Sequence, residues 1–233
     1  MRLLALDTAS GQCSAALLID GQLLLREQVT AREHARLLLP MVQSLLAEAG
    51  CTLNSLQAIA FGRGPGSFTG VRIAASVTQG LAFAADLPVL PVSDLRALAL
   101  QAANIQATAP MPLLACMDAR MHEVYWSLHA PAEQGVVADA PEQVTAPAVL
   151  LQFIAGQALG GRHVLAAGCG LAAYFAGNPE FGVAASHQLP LAEPHAREVA
   201  RLAVADYAAG LALPAEAAIP VYVRDQVVQT PRA

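Results

Sequence analysis

One short phrase occurs twice in this chain. Leu3-Leu4-Ala5-Leu6-Asp7 returns as Leu113-Leu114-Ala115-Cys116-Met117-Asp118, each copy a buried-strand pattern closed by an aspartate. Each copy is followed by an alternating strand, Cys13–Ile19 and Glu123–His129. A repeat at half-chain spacing restricts the fold to two lobes of the same build, packed as layers around shared apolar faces. In 233 residues that leaves about 100 per lobe, enough for each to bury a core.

The elements between the copies define the lobe. Arg2–Thr8 is a strand, and Asp20-Gly21 joins Cys13–Ile19 to Leu23–Val29 as a two-residue hairpin. A helix follows with apolar residues at Leu37, Leu38, Met41, Val42, Leu45 and Leu46, stopped by Gly50. Pro40 inside it either bends the helix or marks its true start. Next come a strand at Gln57–Phe61, a helix over Phe68–Ala85, a strand at Pro88–Val92, and a helix capped by Ser93 and running to Ala103. This order is that of a ribonuclease-H-like lobe, or of a generic mixed α/β sheet. The repeat favours the former, and with it two ribonuclease-H-like lobes in an actin/Hsp70-like α/β architecture. The second lobe shows a helix over Pro147–Leu159, a strand at His163–Ala167 and a helix opened by Gly168-Cys169-Gly170. The polar, proline-bounded link Ala102–Pro112 separates an N-terminal lobe, 1–104, from a second lobe, 112–233, that carries the C-terminal helix and tail.

Composition excludes several classes of function. No run of 18 apolar residues lacks a charge or proline, so no membrane span is expected. Asp7 interrupts the N-terminus too early for a secretory leader. Four scattered cysteines without metal spacing read as reduced thiols of a cytoplasmic protein. Thirteen basic against 18 acidic residues make the chain a poor primary anchor for nucleic acid, so a partner supplies any RNA contact. Hydrophobic content of 55% with 13% charge reflects either abundant alanine or apolar surface covered by a partner.

Gly62-Arg63-Gly64-Pro65-Gly66-Ser67-Phe68-Thr69-Gly70-Val71-Arg72 joins a strand to a helix and has the look of a phosphate cradle. It lacks the lysine followed by Ser or Thr that a phosphate-loop ATPase needs. With Leu6-Asp7-Thr8, Arg32-Glu33-His34-Ala35-Arg36-Leu37-Leu38-Leu39-Pro40, Asp118-Ala119-Arg120-Met121 and Pro220-Val221-Tyr222-Val223-Arg224, the block resembles the bacterial TsaB (YeaZ) family from Met1 to about Val227. The resemblance implies a subunit needed for N6-threonylcarbamoyladenosine at position 37 of tRNAs reading codons that start with A. It implies a catalytic paralogue, TsaD, as dimerisation partner, and an ATPase, TsaE, that joins the pair. tRNA is met only through that complex.

The residues agree with a chain that contributes no chemical group. The catalytic paralogue holds a metal with histidines at i and i+4; here His34 is followed by Leu38, which also excludes the H-E-x-x-H of a metallopeptidase. His34 reads as a surface or cap-region histidine, and His187 and His195 form no ligand cluster. Asp7-Thr8 and Gly168-x-Gly170 keep the outline of actin-like nucleotide contacts, the one weak cofactor candidate. Ala119-Arg120 stands where the second phosphate hairpin needs glycines. Asp7 and Asp118 read as strand-end caps for loop amides. Ser67 reads as a helix cap, since it lies outside a G-x-S-x-G elbow.

Gly70, Ala74, Thr78 and Ala82 form a stripe of small residues with Val71 and Ala75 beside it. The stripe allows close helix packing, either inside its own lobe or against a second chain. The wide apolar arc of Leu37, Leu38, Met41 and Leu45 favours the second, a four-helix contact with TsaD or with another copy of this chain. The alternatives are a stand-alone actin-like ATPase or glycoprotease-like peptidase, and a structural oligomer with no link to tRNA.

Overall fold

The computed structural model describes residues 1–105, 111–132, 135–138, 140–155, 164–185 and 187–224. Two mixed sheets carry the fold. The first is β1 (Arg2–Asp7), β2 (Gln12–Ile19), β3 (Gln22–Val29), β4 (Ala58–Gly62) and β5 (Val89–Val92), ordered β3-β2-β1-β4-β5. The second contains β6 (Leu113–Asp118), β7 (Val124–Ala132), β8 (Gly135–Ala138), β9 (Gln143–Thr145), β10 (Leu165–Ala167) and β11 (His187–Leu189). Its order is β11-β10-β6-β7-β8, with β9 also paired to β7. β6 thus stands where β1 does, antiparallel to the strand that follows it and parallel to β10 as β1 is to β4. The repeated phrase is the central strand of each sheet.

Alternation along these strands creates three cores. Leu4 and Leu6 point to one side of the first sheet, where α1 (His34–Glu48) and α2 (Phe68–Ala85) cover them. Leu114 and Cys116 point to the outer side of the second sheet, a core shared with α4 (Pro147–Ala155), α5 (Cys169–Tyr174) and α6 (Pro179–Ala184). Leu3, Ala5, Leu113, Ala115 and Met117 face a middle core built around α3 (Asp94–Ile105) and α7 (Ala196–Ala208).

Those two helices change places. α3 leaves the first sheet and packs on β6, β7, β8 and β10, whereas α7 leaves the second and packs on β1, β2, β4 and β5. Arg96 of α3 holds both carboxylate oxygens of Asp206 on α7 at 2.9 and 2.8 Å. Arg63 pairs with Glu142 across the lobes. The expected partition at 112–233 is therefore corrected. α7 and the chain after it, to Tyr222, lie on the first lobe, because the buried face Ala196, Val199, Ala200 and Ala203 is flat enough to seat on a sheet.

Asp20 and Gly21 both take positive φ, as the expected tight hairpin requires. α1 begins at His34 and runs through Pro40, which is exposed, so Pro40 does not mark the start. Ser67 caps α2 by accepting the Gly70 amide, and Ser93 accepts the Arg96 amide at 3.1 Å. The helix expected to reach Leu159 is seen to Ala155, and 156–159, His163 and 225–233 lie outside the described residues. Alanine fills the layers: Ala5, Ala15, Ala16, Ala58, Ala60, Ala74, Ala97 and Ala203 are all fully buried, which accounts for much of the apolar excess. No helix among the described residues is long and apolar enough to cross a membrane.

Candidate functional site

The β4–α2 loop is packed on its own lobe. A Cβ on Gly66 would stand 2.5 Å from the Ala9 carbonyl, and one on Gly70 only 1.9 Å from that of Thr8. The Thr8 hydroxyl donates to the Gly70 carbonyl at 2.7 Å. Gly64 takes φ +103°, a conformation that favours glycine. The glycines therefore serve close approach of two backbones of the same chain, and Thr8 is already satisfied.

The small-residue stripe is corrected in the same way. Gly70, Val71, Ala74, Ala75, Thr78 and Ala82 are all buried, and α2 lays them on β1 and β4. Leu38 and Leu45 lie in that same core, while Leu37 and Met41 are partly buried against it. None of the buried side chains is free to meet a second chain. The narrow face went to the sheet because a pleated surface, too, accepts close approach, and the larger side chains were left outside.

On α2 itself, apolar surface remains on the outer face. Ala35 of α1 and Phe68, Thr69, Arg72, Ile73, Ser76 and Val77 of α2 line a groove of about 400 Å³. Phe68 is 52% exposed, and Phe83 on the same helix 80%. The Arg72 guanidinium lies 3.6 Å from the Phe68 ring centre and donates to the Tyr222 hydroxyl at 2.7 Å, while Phe68 and Tyr222 pack at 5.9 Å. An arginine fixed between two half-exposed aromatic rings, beside an apolar groove, has the composition of a protein-binding hot spot.

Asp7 has a partner that sequence reasoning missed. It and Asp94 are both fully buried, and Asp7 Oδ2 and Asp94 Oδ1 face one another where Gly62 leaves room: a Cβ there would lie 3.0 and 2.3 Å from them. The outer oxygens are used, Asp7 Oδ1 accepting the Ala9 amide at 2.8 Å and Asp94 Oδ2 the Gly64 amide at 2.5 Å. Burial raises the pKa of both carboxyls, and the Asp7 charge raises that of Asp94 further. A proton between the facing oxygens satisfies both, so Asp94 is the acid held neutral. Asp7 thus caps the Ala9 amide, and its remaining oxygen is engaged by Asp94.

The other candidates are likewise occupied by protein. A Cβ on Gly168 would meet the Cys116 carbonyl at 2.1 Å, and one on Gly170 the Cys116 sulfur at 2.6 Å, so these glycines let α5 close on β6. His34 is buried, not a surface histidine, and its Nε2 lies 3.0 Å from the Ser10 carbonyl. His195 caps α7, its Nδ1 accepting the Arg197 amide at 3.2 Å, which leaves Nε2 to donate to Glu27 at 2.5 Å. Asp118 accepts from the Arg120 amide at 2.8 Å, as a strand-end cap should. Beyond it Arg120, Met121 and His122 adopt φ of 61°, 54° and 58°, the glycine-like backbone without the glycines. Burial pushes the Cys13 thiol up to about 11 and raises those of Cys116 and Cys169, so these sulfurs stay protonated. Among the described residues, no group of three His, Cys, Asp or Glu side chains stands where it could hold a metal ion.

A family model described as "TsaD: tRNA N6-adenosine threonylcarbamoyltransferase" matches residues 27–230. The Escherichia coli protein named "tRNA threonylcarbamoyladenosine biosynthesis protein TsaB" is 38% identical over 231 residues, 97% of this chain and 96% of that protein. The Haemophilus influenzae protein of the same name is 49% identical over 127 residues, 54% of this chain and 53% of that one. Among solved structures, a Pseudomonas aeruginosa protein described as similar to the peptidase YeaZ superposes with a TM-score of 0.85 at 42% identity, covering 96% of this chain and 99% of its own. YeaZ from Pseudomonas aeruginosa superposes with a TM-score of 0.81 at 40% identity, covering 95% and 99%. The duplicated lobe, the β4–α2 loop closed on β1 and this end-to-end likeness together place the chain in the TsaB (YeaZ) family.

Proposed function

We propose that this protein takes part in threonylcarbamoyladenosine formation on tRNA as a docking subunit of a TsaD-type transferase, with a TsaE-type ATPase joining the pair. The observation that carries the reading is the outer face of α2, where Phe68, Arg72, Ile73, Ser76, Val77 and Phe83 leave an apolar strip beside a groove. A surface of that kind needs a partner, and a standard interface of about 800 Å² per side is within reach of two helices. In isolation a second copy of the chain takes the partner's place on the same face.

The subunit acts by positioning and supplies no reacting group. In support, Thr8, Gly168 and Gly170 are filled by protein contacts, and Asp7 spends its oxygens on Ala9 and Asp94. That leaves nothing in this set to hold a nucleotide or activate a water. Binding energy spent at the α2 face instead selects one arrangement of the paralogue. The work is cytoplasmic, where tRNA is.

The test is a reconstituted transfer assay scored by nucleoside mass spectrometry. Ser76 lies exposed in the groove, so Ser76→Arg is tolerated by the fold and blocks the partner. Transfer and complex formation should fall together by at least about 100-fold, as for a hot-spot loss of roughly 3 kcal/mol. Ala172→Arg, exposed on α5 of the other lobe, should leave both intact. A polar substitution that abolished transfer while the complex persisted would replace this reading with direct catalysis by the chain, as an ATPase or peptidase.

A further inference from the structure

The segment after α7 touches every part of the molecule that the docking reading involves. Leu213 exchanges backbone hydrogen bonds with Val89 of β5 at 2.8 and 2.9 Å, Ala218 is buried in the outer core, and the Val221 amide donates to the Arg63 carbonyl at 2.8 Å. Tyr222 then closes on Arg72 and Phe68 at the rim of the groove. Two residues later Arg224, its side chain only 15% exposed, reaches the other lobe. Its Nη2 donates to the Ala119 carbonyl at 3.0 Å and to Glu123 at 2.5 Å, and its Nη1 approaches the Met121 sulfur at 3.6 Å.

Arg224 thus grips both sides of the β6–β7 hairpin, the one holding three consecutive left-handed residues that are not glycine. Each such residue is disfavoured, and a run of them persists only where surrounding contacts over-determine it. Here those contacts include Asp118 and the Ala119–Glu123 and Glu123–Arg120 backbone bonds within the hairpin, and Tyr174 on Asp118 and Arg224 from outside. Arg120, Met121 and His122 are themselves all exposed, so no packing against a core holds them. Arg224 is thus one of the hairpin's outside supports, and the tail that carries it meets the groove at Tyr222.

We propose that Val221–Arg224 is a strap through which occupancy of the α2 groove is registered at the β6–β7 hairpin of the other lobe. An occupant that covers Phe68 and Arg72 also covers Tyr222. Trapping that ring stops the strap from lifting, which keeps Arg224 on Ala119 and Glu123 and the hairpin in its left-handed form. The identity of the occupant rests on the docking reading above, whereas the link between Tyr222 and the hairpin is a property of the chain alone.

Amide hydrogen exchange on the full-length chain tests the link directly. The probes are the amides of Ala119, Arg120 and Glu123, which are bonded to Glu123, Asp118 and Arg120 within the hairpin. Arg224→Ala should speed their exchange about tenfold, the scale of a lost charge-assisted hydrogen bond. Tyr222→Ala, remote from these amides, should speed it about threefold, and the double variant should match Arg224→Ala alone because both act through one strap. Unchanged hairpin exchange in Tyr222→Ala, or additive effects in the double variant, would overturn the proposal. A second arm adds the TsaD-type partner: exchange at the three amides should slow in the natural chain and not in Arg224→Ala. Slowing that persists in Arg224→Ala would also overturn the strap. A partner that fails to bind at all counts against the docking reading, while the first arm still decides the strap.

Discussion

Replacing Asp94 by asparagine separates the buried acid pair from every other source of pH dependence. Two carboxyls with no exposure face each other across Gly62, and burial raises the pKa of each. In the unfolded chain both titrate in the ordinary range near 4. As pH rises past the unfolded value, the folded chain therefore keeps a proton that the unfolded chain has lost. The folded pKa lies above the unfolded one, so the stabilisation is complete below the unfolded value and lost as pH rises toward the folded one. The slope is at most about 1.4 kcal/mol per pH unit for one proton, between the unfolded and the folded value. The asparagine side chain reproduces the neutral acid: its amide nitrogen takes the place of Oδ1 and donates to Asp7, and its oxygen keeps the Gly64 amide. It carries no proton to lose. His195 and Glu193 act on Asp7, and Arg63 on the side chain at position 94, alike in both proteins to a first approximation, so they cancel in the difference. Urea unfolding followed by circular dichroism at pH 5, 6 and 7 should show Asp94→Asn gaining on the natural chain as pH rises, by up to about 1.4 kcal/mol per unit. Two parallel curves would refute the shared proton, since they would mean that Asp94 is ionised in both states. Asp94→Ala provides the contrast: it strands the Gly64 amide and Asp7, at about 1–3 kcal/mol each.

The burial of the stripe makes two further predictions. Ala74→Arg places a guanidinium in the fully buried contact of α2 with the first sheet, so the chain should lose its cooperative thermal transition by circular dichroism, not merely its oligomeric state. Gly70→Ala brings a Cβ to the Thr8 carbonyl and should lower stability in urea by about 1–3 kcal/mol, while Gly80→Ala on the same helix, with open space around it, should be neutral or slightly stabilising.

The repeated strand phrase is sufficient for the architecture because topology rules act on strand order. A central strand ending in aspartate, followed by a hairpin partner, has few right-handed ways to add parallel neighbours, and both lobes took the same one. Short edge strands such as β9 and β11 have three residues each and no periodicity to read. Landing sites are less visible than elements: nothing in residues 196–208 announces that α7 crosses to the first sheet. The stripe from Gly70 to Ala82 is legible as a surface of close approach, but spacing cannot say whether a sheet or another chain does the approaching. Asp94 stays hidden for a related reason. An aspartate at the start of a helix is ordinary, and only the fold brings it against Asp7.

The exchange of α3 and α7 bears on how such a chain can work. In a two-lobed protein that opens and closes on a ligand, the surfaces between the lobes part during the cycle. Here the space between the sheets is a continuous apolar core containing Leu95, Leu98, Val199 and Leu202, tied by Arg96 to Asp206. Separating the lobes would expose both helices, each anchored on the sheet that the other helix left. The molecule is thus braced against hinge motion, which is compatible with the docking role proposed above. Outside those braces lie the exposed aromatic pair, the proposed strap beneath it and the hairpin that Arg224 contacts. Rigidity in the middle layer lets a small displacement at Tyr222 reach Arg224 without dissipating into a change of lobe angle.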